Sequence, residues 1–252
     1  MREQWAILLL AVQFLTRLPV PASAHFTPGR LRAATRFYPL VGALVGGLGA
    51  LAFLAADALW PPVIAALLSL AATLALTGAF HEDGLADTFD GIGGGLTRER
   101  ALEIMRDSRI GTYGTAALLL TFGLKLGALA ALPALAVAAA LPAAHGLSRF
   151  SAVVVIATSR YARDDGTGKP TADGIAPASL AIAGGTAALL LAGLALATGV
   201  PAALGAAAGL VLGHLAMRRV FERKLGGYTG DCLGAVQQAS EVGAWLGLLA
   251  CL

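Results

Sequence analysis

The chain has 252 residues, of which 57% are hydrophobic and 13% charged, with a mean hydropathy of +0.75. A soluble domain carries about a quarter charged residues, so this composition excludes an ordinary soluble fold and describes a polytopic membrane protein. The formal net charge of +3 is read as orientation against a lipid surface, not as contact with nucleic acid.

Residues 1–24 combine an early basic residue, an apolar core at 5–15 and the small triplet Ala22-Ser23-Ala24, the make-up of a secretory signal. Glu3 and Arg17 argue against cleavage, and removal would export Arg30, Arg32 and Arg36 and reverse every later loop. The segment is therefore expected to stay as a short interfacial or re-entrant helix. Seven apolar runs follow, at 37–56, 62–80, 110–132, 134–158, 177–198, 201–217 and 232–252. Each approaches the ~20 residues needed to cross a ~30 Å hydrocarbon core, and backbone in lipid is satisfied within helices. The expected fold is an all-α polytopic bundle forming one integral membrane domain over 1–252.

The connections alternate in charge. Those at 57–61, around Pro133 and at 199–200 lack Lys and Arg, whereas those at 91–109, 159–176 and 218–231 and the N-terminal arm are rich in both. With Arg149 counted in the inner half of its span, every Lys and Arg except Lys125 falls on one side, the cytoplasm by the positive-inside rule. Small residues at Gly42 and Gly46, and at Gly205, Gly209 and Gly213, predict close helix packing. His145 with Arg149 and His214 with Arg218 share a four-residue spacing too weak to define a repeat. Lys125 and Glu241, alone inside apolar spans, either pair across helices or line a polar cavity. Cys232 and Cys251, at opposite ends of one span, stand ~28 Å apart as a helix, too far for a disulfide.

Residues 61–80 carry no charge, yet F-H-E-D-G-L-A-D-T-F-D-G at 80–91 holds four of the chain's fifteen acidic residues. If the helix continues past Phe80, Asp83, Asp87 and Asp90 share a face, with Glu82 roughly 100° away and reaching the same point from the flank or through a water. Carboxylates that close raise one another's pKa unless a cation lies between them. A hard divalent ion fits, and Mg2+ in particular shares itself with substrate phosphates, although carboxylates alone do not separate Mg2+ from Mn2+. In I-M-R-D-S-R-I-G-T-Y-G at 104–114, Arg106 and Arg109 stand three apart, suited to phosphate oxygens, and Asp107 either orients an Arg or joins the metal. The loop at 159–169 adds Arg160, Arg163 and Lys169 without Walker spacing. In G-G-Y-T-G-D-C-L-G at 226–234, Asp231 is a lone acid at the start of the last span, where it can also act as a plain helix cap. Acids and arginines on one cytoplasmic face suggest metal-assisted handling of a diphosphate.

Together, F-L-T-R-L-P-V-P at 14–21, H-E-D-G-L-A-D-T-F-D-G at 81–91, M-R-D-S-R-I-G-T-Y-G at 105–114 and G-G-Y-T-G-D-C-L-G-A at 226–235 resemble the cobalamin synthase (adenosylcobinamide-GDP ribazoletransferase) family over nearly the whole chain. Phe89 departs from the smaller residue usual beside the cluster and removes no carboxylate. The resemblance implies a Mg2+-dependent transferase of the bacterial inner membrane, active on its cytoplasmic face at the last stage of cobalamin assembly. It implies joining adenosylcobinamide-GDP to α-ribazole, or its 5'-phosphate, with release of GMP. On that reading Glu82, Asp83, Asp87 and Asp90 gather the metal, Arg106, Arg109, Arg160 and Arg163 hold phosphates, and Asp90 or Asp231 acts as base. A CDP-alcohol phosphotransferase is the rival enzyme, although its D-G-x-x-A-R opening is not matched, since no Arg follows the aspartate here. An ion-coupled transporter is the rival from another class. Lipid surrounds the protein in every case, and the sequence leaves its oligomeric state open, a homo-oligomer included.

Overall fold

Backbone N–H and C=O groups in apolar surroundings need partners inside their own segment, and this chain meets that demand with helices. The computed structural model describes residues 2–21, 26–163 and 174–252; Ala22, Ser23, Ala24, His25 and Lys169 lie outside them. In chain order the helices are α1 Arg2–Leu15, α2 Pro28–Ala34, α3 Tyr38–Asp57, α4 Pro62–Thr77, α5 Phe80–Gly94, α6 Arg98–Ile104, α7 Thr112–Ala131, α8 Ala134–Thr158, α9 Pro177–Thr198, α10 Val200–Leu225 and α11 Gly230–Cys251. A 3-10 turn, Thr35–Phe37, joins α2 to α3. Among the described residues there is no strand, only an isolated bridge between Tyr161 and Tyr228. The fold is the all-α membrane bundle that the apolar runs predict.

The seven crossings expected are not reproduced. Pro28–Asp57, α7, α8, α9 and α10 are long and apolar enough to cross a membrane, and α4 with α5 adds a sixth only as a pair bent by 89°. The run at 62–80 breaks because Gly78 (φ 65) and Ala79 (φ 57) are both left-handed, a conformation free for glycine and costly for alanine. The helix restarts at Phe80 in a new direction, away from the crossing axis of α4. The last run is a full 22-residue helix, α11, but Gln237, Gln238, Ser240 and Glu241 lower its hydropathy below that of a span; all four are buried.

The helices touch where side chains are smallest. A Cβ on Gly205 would come within 2.8 Å of Cys251 Cβ, one on Gly209 within 2.8 Å of the Gly243 carbonyl carbon, and one on Gly213 within 2.8 Å of that of Ala239. The paired numbers run in opposite senses, so α10 and α11 lie antiparallel along the glycine face read from the sequence. Gly42 and Gly46 do the same for α3 against α8, where a Cβ would come within 2.8 Å of the His145 carbonyl carbon and of Pro142 Cα respectively. Helix α1 spans ~21 Å at 1.5 Å per residue, short of a crossing, and buries Ile7, Leu10, Ala11 and Leu15. Ile7, Ala11 and Leu15 cluster with Tyr38 and Val41 of α3. These reversals bring the C-terminal end of α1, the starts of α3, α5 and α11 and the C-terminal half of α8 to one end of the bundle.

Candidate active site

At that end the first turns of α5 and α11 cross. A Cβ on Gly84 would come within 2.7 Å of the Asp231 carbonyl oxygen, and one on Gly234 within 2.7 Å of that of His81. Two glycines therefore let the backbones meet. Helix α11 begins here because Thr229 caps it, its hydroxyl accepting the Cys232 N–H at 3.4 Å. Around the crossing lies a pocket of ≈ 750 Å³, counting the space open at its mouth. Phe14, Tyr38, Phe80 and Ile156 supply apolar wall, with Phe14 stacked on Tyr38 at 6.0 Å and edge-on to Phe80 at 5.5 Å. Asp83, Asp231 and Arg149 supply charge to the same pocket.

The structure divides the four carboxylates of α5. Asp83 is exposed and Asp87 half-buried, and each interacts electrostatically with Asp231 across the crossing. Burial first, then the negative charges of Asp231 and Asp83, push the Asp87 carboxyl up to about 7, against the pull of Arg163. Burial also raises the Asp231 carboxyl, opposed by Arg163 and the Thr229 hydroxyl. Asp90 faces elsewhere: its Oδ2 accepts the Gly111 N–H at 2.7 Å and its Oδ1 the Gly114 N–H at 2.8 Å, which fastens the start of α7. Glu82 turns into the bundle, where Oε1 accepts from Gln238 Nε2 at 2.9 Å and Oε2 is buried with no partner. Among the described residues no three His, Cys, Asp or Glu side chains converge at metal-ligand spacing. Asp83, Asp87 and Asp231 share an electrostatic neighbourhood without closing on a point.

The four arginines expected at phosphates also separate. Arg163 is mostly buried and ion-paired to Asp231 at 2.9 Å. It gets there because the chain after α8 is pinned to the 226–229 loop, with Tyr228 N–H donating to the Arg160 carbonyl at 2.9 Å and Ala162 N–H to the Tyr228 carbonyl at 2.8 Å. Arg160 itself is exposed beside this bridge. Arg109 extends into solvent, its side chain 87% exposed, and forks onto Asp107 at 3.0 and 2.6 Å. Those hydrogen bonds pull the Asp107 carboxyl down to about 2. Arg106 lies in the turn that follows α6.

Below the pocket is a buried polar network that sequence reading left unresolved. Lys125 and Glu241 pair at 2.8 Å, settling their relation as a cross-helix ion pair. Lys125 also donates to Gln238 Oε1 at 2.7 Å, and Gln237 Nε2 donates to Glu241 Oε2 at 2.7 Å and to Ser148 at 2.9 Å. Arg149 donates to the His145 carbonyl at 3.0 Å. The matching His214 is used differently, with Nδ1 2.7 Å from the Ser151 hydroxyl, so the shared spacing is not a structural repeat. Arg149, Gln237 and Gln238 are the residues that sequence reading missed. Their only signal was polarity inside apolar helices.

The family model for cobalamin-5-phosphate synthase matches residues 7–249. The chain is 47% identical to the adenosylcobinamide-GDP ribazoletransferase of Leptothrix cholodnii, covering 97% of this chain and 95% of that protein. It is 48% identical to the one of Ralstonia nicotianae over 96% and 94%, and 47% to the one of Bradyrhizobium diazoefficiens over 96% and 92%. No solved structure matches. With the family model matched over residues 7–249 and relatives at 47% and 48% identity aligned over nearly the whole chain, the protein belongs to the cobalamin-5-phosphate synthase family.

Proposed function

We propose that the protein is an adenosylcobinamide-GDP ribazoletransferase of the bacterial inner membrane, with its pocket at the cytoplasmic face. The observation that carries this reading is the pocket itself, apolar on its walls and lined by Asp83, Asp231 and Arg149, in a chain that aligns end to end with ribazoletransferases. An apolar wall suits the edge of a corrinoid, and the charged rim suits its nucleotide-activated diphosphate. The side to which the basic connections belong supports a cytoplasmic mouth.

Asp83, Asp87 and Asp231 are the residues that would hold Mg2+. The donor set is all oxygen, which Mg2+ prefers, and the Asp87 carboxyl, pushed up by burial and then by the charges of Asp231 and Asp83, stands beside negative charge that a cation would relieve. Glu82 and Asp90, also expected as ligands, are committed to Gln238 and to the start of α7. When bound, Mg2+ neutralises diphosphate oxygens and stabilises departing GMP. Arg163, held beside Asp231, faces the same negative charge and steadies the diphosphate. A ribose hydroxyl of α-ribazole, or of its 5'-phosphate, attacks the phosphorus on the cobinamide side; a P–O bond forms, the bridging P–O bond breaks, and GMP leaves. Asp231, its carboxyl raised by burial, receives the hydroxyl proton. With its oxygens occupied by backbone N–H groups, Asp90 positions α7 and leaves the base role to Asp231.

The test is purified protein in lipid vesicles given adenosylcobinamide-GDP and α-ribazole, with and without Mg2+, followed for GMP. Mg2+-dependent GMP release is expected. Its absence, or solute transport without GMP, overturns the proposal in favour of a transporter.

A further inference from the structure

Arg149 is the largest charged side chain that the bundle buries, 2% exposed and inside α8, one of the candidate spans. A charge there is expensive unless it is paired or used. Glu241 and Glu82 attract it at longer range, but neither pairs with it directly. Glu241 already pairs with Lys125 at 2.8 Å, and among the described residues no carboxylate stands within ion-pairing distance of Arg149. Its Nη1 donates to the His145 carbonyl at 3.0 Å and lies 3.2 Å from His145 Nδ1, and its Nε has no partner. The side chain lines the apolar pocket. Gly42 makes room for it, since a Cβ on that residue would come within 2.7 Å of Arg149 Cδ.

The same pocket is lined by Gly230 and Asp231, the first residues of the 22-residue α11. The N-terminal N–H groups of a helix favour anions. A buried, under-partnered guanidinium and a helix N-terminus therefore meet in one cavity, and both call for a ligand oxygen carrying negative charge. We propose that Arg149 is a substrate-phosphate receptor at the base of this pocket, a binding residue distinct from the carboxylates and from Arg163. The assignment rests on the transferase reading. Two substrate groups share the required chemistry, the diphosphate of adenosylcobinamide-GDP and the 5'-phosphate of α-ribazole 5'-phosphate.

The experiment uses full-length Arg149→Lys and Arg149→Gln proteins in vesicles, with GMP release measured against each substrate in turn. Losing a charge-assisted hydrogen bond to a phosphate is expected to raise one KM about 10- to 100-fold, with kcat within about threefold. Inorganic pyrophosphate and inorganic phosphate, as competing inhibitors, should weaken in parallel. A KM rise for α-ribazole 5'-phosphate but not for α-ribazole assigns the monoester to Arg149. A rise confined to adenosylcobinamide-GDP assigns the diphosphate; either supports the proposal. Unchanged KM values and inhibition overturn it, as does a fall in kcat and thermal stability with every KM intact, which marks a structural residue. An effect that follows the phosphatidylglycerol content of the vesicles instead of substrate concentration also overturns it, giving the site to a lipid headgroup. If Arg149→Gln does not accumulate, Arg149→Lys decides, because it keeps the charge in the same cavity and loses only the planar fork. Wild-type protein that releases no GMP defeats the transferase reading; active wild type with indifferent variants defeats only the role of Arg149.

Discussion

Asp87 lies half-buried between Asp83 and Asp231, and its carboxyl is pushed up to about 7. A carboxyl whose folded pKa exceeds its unfolded value binds its proton more tightly when folded. Its stabilising contribution is present below about pH 4 and is lost as pH rises towards 7. Metal-free protein should accordingly lose thermal stability over that window. Mg2+ should restore it above pH 7, where the proton no longer competes for the oxygens. Asp87→Asn should flatten both trends and abolish GMP release; thermal unfolding at graded pH with and without Mg2+ checks this, and a persistent Mg2+ effect in the variant would remove Asp87 from the site. Asp90 should behave otherwise. Its oxygens take two backbone N–H groups, so Asp90→Ala should cost about 1–2 kcal/mol of stability, measured as a lowered denaturation midpoint. Asp90→Asn, which keeps one carbonyl acceptor, should recover part of that cost at unchanged Mg2+ affinity. The pairing of Asp83 with Asp87 was legible in the sequence because both belong to one helix with a fixed period. The turn of Asp90 towards Gly111 and Gly114, and the approach of Asp231, were not, because they depend on where other helices pass.

Spacing four apart on α10 reads as a packing face whatever the partner, and Gly205, Gly209 and Gly213 indeed meet α11 backbone. The partner half of the seam, Gly243 and Gly247, sits in a helix whose glutamines and Glu241 obscure its apolar character. Gly209→Leu or Gly243→Leu should drive backbones apart and cost about 1–3 kcal/mol or more, seen as loss of folded protein on size-exclusion in detergent. Gly193→Ala, with open space at its Cβ, is the matched control and should leave elution unchanged; equal behaviour of all three would refute the seam. The break after α4 escaped sequence reading for a different reason. Gly78 is an ordinary helix terminator, but nothing local announces that Ala79 will also take a left-handed backbone and set α5 at 89° to α4. That right angle carries the acidic helix across the start of α11 and makes one pocket from segments 150 residues apart in sequence.

For the whole molecule, alternating connections and antiparallel helices leave the two ends of the bundle chemically unlike. The pocket end gathers the basic connections, and the other end joins α3 to α4, α7 to α8 and α9 to α10 through short links without Lys or Arg. The count of crossings was the part of the fold least legible from composition, because α11 hides its polar side chains against neighbours, which a hydropathy average cannot register. Orientation does not depend on that count. It follows from charge, and the proposed cytoplasmic side of the pocket rests on the positive-inside rule. Leu96, 94% exposed after α5, and Leu59, 72% exposed after α3, lie at opposite ends. In protein with Cys251→Ser, leaving Cys232 buried, a Leu96→Cys variant should resist a membrane-impermeant thiol reagent on intact cells and react after permeabilisation. Leu59→Cys should react before it. The reverse pattern would put the carboxylates outside, away from any cytoplasmic nucleotide, and would end the orientation and the proposed reaction together.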